Sequence, residues 1–186
     1  LSLDNILNPS FEDPVVEDYY EGDPASWLSY VPPFYDTSIY GGIYIVTTAS
    51  CGTAPAAGTQ LALIRYSGSY LYQYVTLQEG IQYQLSFCAA ASSSAIYLGG
   101  FSIPLTVKIG GDTVYYGSQS PSTTMTCYTS ITYTSKINYS NITFINSYSG
   151  TESTPSLLLD RVILTPLTTG SPTASPSNTP TTGTLD

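Results

Sequence analysis

Apolar and polar residues alternate with a period of two through most of this chain. Tyr83, Leu85, Phe87 and Ala89 interleave with Gln82, Gln84, Ser86 and Cys88, which is the pattern of a strand with one face buried. The runs 43–47, 60–66, 70–77 and 83–89 are rich in β-branched and aromatic residues, the side chains that suit a pleated surface. Turn chemistry separates the runs: Gly41-Gly42, Ser67-Gly68, Glu79-Gly80, Gly99-Gly100 and Gly110-Gly111-Asp112. Residues 105–115 read as a hairpin, with Leu105, Val107 and Ile109 pointing inward, a turn at Gly110-Gly111, and Val114 on the return strand. The alternation resumes at 127–134 and 142–146, and 156–164 reads as the last strand. No window of about eleven residues carries the helical period. Many short strands with Gly-rich turns predict an all-β, antiparallel β-sandwich.

The pattern stops near Thr165-Pro166. Residues 166–186 form a Ser/Thr/Pro-rich tail with no aromatic and no basic residue, and Pro172, Pro176 and Pro180 recur at every fourth position. Such a segment cannot offset its ordering entropy by burying apolar surface, and its prolines favour an extended path. The chain therefore divides into a sandwich domain over 1–165 and a linker or tail over 166–186. The tail hydroxyls are O-glycan acceptors by composition: Thr168, Thr169, Ser171, Thr173, Ser175, Ser177, Thr179, Thr181, Thr182 and Thr184.

Composition narrows the function. Charged residues make up 9% of the chain, against about 25% in an ordinary domain, and eighteen tyrosines supply surface polarity instead. The net charge of −9, with only Arg65, Lys108, Lys136 and Arg161 as cations, leaves nothing from which to build a phosphate-binding patch. Nucleic acid is excluded as a partner, an anionic membrane surface is disfavoured, and no apolar run is long enough to span a bilayer. The absence of histidine removes the commonest general base and zinc ligand. The start at Leu1, without a basic-then-apolar leader, is expected of a mature product or a fragment. Two acceptor triplets, Asn138-Tyr139-Ser140 and Asn141-Ile142-Thr143, fit N-glycosylation and a secreted, extracellular-surface location. Three cysteines, an odd count, allow one internal disulfide and one leftover thiol, or three inert thiols. Spacing does not choose the pairing; Cys51 with Cys127 is favoured slightly, because both stand in Ser/Thr-rich stretches that read as strand ends.

Several segments, in order, resemble the galactose-binding-like jelly rolls, a fold shared by carbohydrate-binding modules and by plant and algal cell-wall proteins. They are the opening Ile6-Leu7-Asn8-Pro9-Ser10-Phe11-Glu12 followed by Trp27, the Gly58-to-Leu63 strand entry, and the paired strands of 72–87 around Glu79-Gly80. The Pro104–Gly111 hairpin and the closing Leu159-Asp160-Arg161-Val162 complete the set. The resemblance spans about residues 5–165 and implies fold more than activity. It implies that first and last strands lie side by side, bringing Phe11 to Val162 and Glu12 to Asp160. It further implies a structural Ca²⁺ between Glu12 and Asp160, completed by backbone carbonyls. The competing reading pairs Asp160 with Arg161 or a backbone N–H and leaves Glu12 solvated. Trp27 is expected in the core.

The remaining candidates are surface groups. Glu12, Asp13, Glu17, Asp18, Glu21 and Asp23 crowd twelve residues but lack the regular spacing of a calcium loop, so they read as a solvated acidic stretch. Tyrosine offers a sugar an apolar ring and a polar tip, which makes Tyr19, Tyr20, Tyr30, Tyr35, Tyr40 and Tyr44 candidates for a glycan cleft; the plainer reading is that tyrosine replaces charge on strand faces. No pair of carboxylates carries a glycosidase motif, so an enzyme is not expected. With so few lysines to blunt its edge strands, the sandwich is expected to self-associate or to pack against neighbouring surface subunits. The leading reading is a non-catalytic extracellular module, a structural subunit of a glycosylated surface layer or fibre. The alternative is a carbohydrate-binding module tethered by a glycosylated linker.

Overall fold

The computed structural model describes residues 6–17, 19–33, 42–92, 102–150 and 155–167. The Gly41 and Gly99-Gly100 turn positions, Asp18, Tyr35, Tyr40 and the ten hydroxyl residues of the tail lie outside them, as does the side chain of Tyr19.

Among the described residues, eleven strands form two antiparallel sheets. One has six strands in the order β1 (Tyr19–Glu21), β3 (Ile43–Thr47), β4 (Gln60–Arg65), β11 (Ser156–Pro166), β6 (Gln82–Ala91), β9 (Thr126–Thr134). The other has five: β2 (Leu28–Tyr30), β5 (Tyr70–Thr76), β10 (Tyr139–Asn146), β7 (Ile103–Ile109), β8 (Asp112–Gln119). The expected strands are present, and the short strands β1 and β2 and the single turn of helix α1 (Thr48–Cys51) are elements the periodicity did not show. Four residues are too few for a helical period to register. Gly52, at φ 74°, ends this turn by donating its N–H to the Thr48 carbonyl, a left-handed cap that glycine adopts without strain.

The main core lies between the sheets. Leu85, Phe87 and Ala89 of β6 and Leu159, Val162 and Leu164 of β11 meet Leu105, Val107 and Ile109 of β7 and Ile142 and Phe144 of β10. The hairpin turns at Gly110-Gly111, where Ile109 stands opposite Asp112. Trp27 fills the same core, with its ring centroid 5.2 Å from that of Phe11 and 6.2 Å from that of Phe144.

A second apolar cluster backs the six-stranded sheet, where Tyr44, Val46, Cys51, Leu61, Leu63 and Leu158 bury together beside α1. With both of its faces covered, β4 is buried at all six positions, which is why its sequence reads as a continuous run rather than an alternation.

The expectation that first and last strands lie side by side needs correction. β1 is an edge strand beside β3, whereas β11 sits between β4 and β6. The contact with β11 is made instead by the arch ahead of β1, where Val162 donates its N–H to the Pro9 carbonyl at 2.8 Å. Phe11 and Val162 are both fully buried. At Arg161, φ is 50° and the ladder to β6 shifts register between Asp160 and Ile163. This bulge resets side-chain parity, so Leu157 and Leu159 before it and Val162 and Leu164 after it all enter the main core.

The disulfide joins Cys88 to Cys127, and Cys51 is a buried free thiol, not the partner of Cys127. Cys88 and Cys127 are register partners on β6 and β9 with Cα atoms 4.0 Å apart. Cys51 lies in the cluster beside α1, where burial raises its thiol pKa. A stable bridge fits an oxidising, extracellular compartment.

Candidate functional site

Two side-chain constellations stand out. The first is on the outer face of the five-stranded sheet. On β5, Leu71 and Val75 enter the core with Gln73, so Tyr70, Tyr72 and Tyr74 must face outward. Gln73 is tied down inside: its Oε1 accepts from the Leu7 N–H at 2.7 Å, while its Nε2 donates to the Leu7 and Ser26 carbonyls, both at 2.9 Å. Register places Tyr30 of β2 opposite Tyr70, and Tyr139 of β10 opposite Thr76.

The result is a ladder of five rings. Tyr30 stacks on Tyr70 at 4.9 Å, Tyr70 tilts against Tyr72 at 5.9 Å, Tyr72 meets Tyr74 edge-on at 5.7 Å, and Tyr74 stacks on Tyr139 at 5.4 Å. Tyr30, Tyr74 and Tyr139 are 43%, 51% and 60% exposed, so the ladder is open to solvent along its length. The three strands that carry it, Leu28–Tyr30, Tyr70–Thr76 and Tyr139–Asn146, contain no charged residue. Burial, then Tyr72 and Tyr30, push the Tyr70 phenol above its ordinary pKa, so it stays protonated and able to donate a hydrogen bond at neutral pH.

Of the tyrosines singled out from sequence, Tyr30 is on this ladder. Tyr20 is exposed on the edge strand of the other sheet, and Tyr44 is buried in the second cluster, which removes it as a surface contact. Tyr70, Tyr72, Tyr74 and Tyr139 were missed. The available signal was tyrosine at every second position of a strand whose intervening positions are core.

The second constellation is the Glu12–Asp160 pair. Asp160 is fully buried; its Oδ2 accepts from the N–H groups of Ala56 and Ala57 at 2.7 and 2.9 Å, and its Oδ1 from that of Arg161 at 2.6 Å. Glu12 Oε1 accepts from the N–H groups of Thr59 and Gln60, each at 2.9 Å, and Oε2 from the Thr59 hydroxyl at 3.0 Å. Gly58, at φ 66°, holds a left-handed conformation that favours glycine, and a Cβ there would crowd the Glu12 carboxylate. Six donors thus converge on four oxygens. Calcium needs six to eight oxygen ligands with free lone pairs, and no cluster of three potential metal-ligating side chains occurs among the described residues. This donor set does not fit the Ca²⁺ that the resemblance implied; it anchors the 56–60 loop to the arch and to β11. Asp13, Glu17, Glu21 and Asp23 of the acidic stretch are exposed.

Burial, with a smaller push from Glu12, raises the Asp160 pKa to about 6 against the pull of its three N–H donors. Between about pH 4 and 6 the folded state therefore holds a proton that the unfolded chain releases, so stability falls as pH rises through that window. Acidification from pH 7 to 5 is expected to raise stability by on the order of 1 kcal/mol from this group. Thermal melts of the wild type and Asp160→Asn check this: the wild type should show the rise and the variant should lack it.

No protein-family model and no curated protein sequence matches the chain. Solved structures do. TmCBM61 in complex with β-1,4-galactotriose superposes with a TM-score of 0.52 at 16% identity, over 88% of this chain and 99% of that one. The CBM22-1 xylan-binding domain from Paenibacillus barcinonensis Xyn10C gives 0.52 at 15%, over 84% and 90%. The chain has the β-sandwich fold of carbohydrate-binding modules. It also superposes on part of MgGH51 α-L-arabinofuranosidase, with a TM-score of 0.59 at 14% identity over 89% of this chain, but it spans only 27% of that enzyme. No helix among the described residues is long and apolar enough to cross a membrane.

Proposed function

We propose that this chain is a non-catalytic extracellular carbohydrate-binding module that lays a neutral glycan along the tyrosine ladder. The observation that carries this is the run of five contacting tyrosines on three neighbouring strands that contain no charged residue. Rings offer apolar faces to the C–H surface of a sugar while phenol tips hydrogen-bond its rim, and a face lacking carboxylates suits binding of a neutral polymer better than cleavage. The fold agrees, since its structural neighbours include a module solved with a galactan oligosaccharide and a xylan-binding domain. This reverses the order of the two readings drawn from sequence. A role as a subunit of a surface layer or fibre rested on the tail, of which residues 168–186 lie outside the described residues, and on edge strands; the ladder is the stronger feature.

Affinity electrophoresis against a panel of neutral polysaccharides tests the proposal. At least one should retard the protein. Tyr74→Ala should weaken that binding by about 30-fold, the loss of an aromatic hot spot of ~2 kcal/mol. It should barely change Tm, because the ring is half exposed, and Tyr20→Ala should bind as wild type. Equal binding by Tyr74→Ala, or no retardation by any polysaccharide, would overturn the assignment.

A further inference from the structure

We propose that Asn141 carries an N-linked glycan whose first sugar lies on the Tyr74–Tyr139 pair and closes that end of the ladder to external glycan. The proposal rests on the reading of the ladder as a glycan-binding surface. Ile142 and Phe144 of β10 are buried in the main core, so alternation puts Asn141 and Thr143 of the acceptor triplet on the ladder side of the sheet, where Asn141 is partly exposed and Thr143 is buried. Asn141 stands directly opposite Tyr74 in the register of β10 with β5, and its side chain is half-buried. Directly opposed residues on one face have Cβ atoms about 4.5–5.5 Å apart.

Tyr139, two residues earlier and therefore on the same face, is stacked on Tyr74 with an interplanar angle of 10°. A sugar joined to the Asn141 amide nitrogen thus begins beside two parallel, exposed rings. The tether gives that sugar an effective concentration in the millimolar range or above, enough to outcompete a weak external ligand. The acceptor site at Asn138 differs. It lies in the exposed turn ahead of β10, where its Oδ1 accepts from the Glu79 N–H at 2.9 Å.

The test compares one Asn138→Gln chain made in a eukaryotic secretory host that attaches N-glycans and in the periplasm of a bacterium that does not. Glycopeptide mass spectrometry should find Asn141 occupied in the first. Its affinity for the polysaccharide that the bare form binds should be weaker by about tenfold or more, and trimming the glycan to one sugar should recover only part of the difference. An unmodified Asn141, or equal affinity of the two forms, would overturn the proposal. Should the bare form bind no polysaccharide, the proposed function fails, and the sugar–tyrosine contact is judged separately by melting. Tyr139→Ala lowering Tm only in the glycosylated form supports the contact, and an equal effect in both forms refutes it.

Discussion

Trp27→Ala is expected to lower the stability of the fold by about 3–5 kcal/mol, a fall in Tm on the order of 10 °C for a domain of this size. The side chain is 2% exposed, and its ring packs between Phe11 of the arch and Phe144 of β10. Its indole Nε1–H donates to the Asn8 carbonyl at 3.2 Å. Truncation leaves a large cavity and an orphaned carbonyl together. It also frees the segment leading into β2, so Tyr30 should lose its position on the ladder and glycan affinity should fall as well. Unfolding in denaturant, followed by far-ultraviolet circular dichroism because the only tryptophan is gone, measures the cost. A loss below about 1 kcal/mol would mean that Trp27 is not the core residue described.

Removing the disulfide is expected to cost nearly as much. The bridge closes a loop of 39 residues between β6 and β9, and the chain-entropy account gives about 4 kcal/mol for a loop of that length. The Cys88→Ser, Cys127→Ser double variant should lose stability by that order, whereas Cys51→Ala should lose only on the order of 1–2 kcal/mol, the cost of a small apolar side chain. Non-reducing peptide mapping with equilibrium unfolding checks both. A Cys51–Cys127 peptide would contradict the pairing, because Cys51 lies beside α1 while Cys127 is in register with Cys88.

The strand content was legible because one covered face imposes a period of two, and Gly110-Gly111 announced its hairpin. The hairpin core residues followed from the same logic, whereas the core position of Trp27 was implied by the resemblance to the galactose-binding-like jelly rolls. Three features were not legible, each for a physical reason. The pairing of Cys88 with Cys127 depends on the register of β6 against β9, which sequence spacing does not encode. The competing reading put Asp160 on a backbone N–H, as found, but which amides bind it and Glu12, those of Ala56, Ala57, Thr59 and Gln60, was not legible, because every residue but proline has such a group and no motif marks it. The ladder gathers Tyr30, Tyr70 and Tyr139 from three strands, and only sheet order brings them together. Tyr30 belongs to the tyrosine-rich first third of the chain, whereas Tyr70, Tyr72 and Tyr74 alternate visibly but read equally as ordinary strand surface.

The central claim is that the outer face of the five-stranded sheet holds the glycan. Titrating the ¹⁵N-labelled, unglycosylated chain with an oligosaccharide fragment of the best-bound polysaccharide, and mapping amide chemical-shift changes, tests this most directly. The account predicts changes concentrated on β2, β5 and β10, at Tyr30, Tyr70, Tyr72, Tyr74 and Tyr139, with α1 and the 56–60 loop unaffected. Changes centred on the Glu12–Asp160 loop, or on the β3–β4 side of the sandwich, would contradict it.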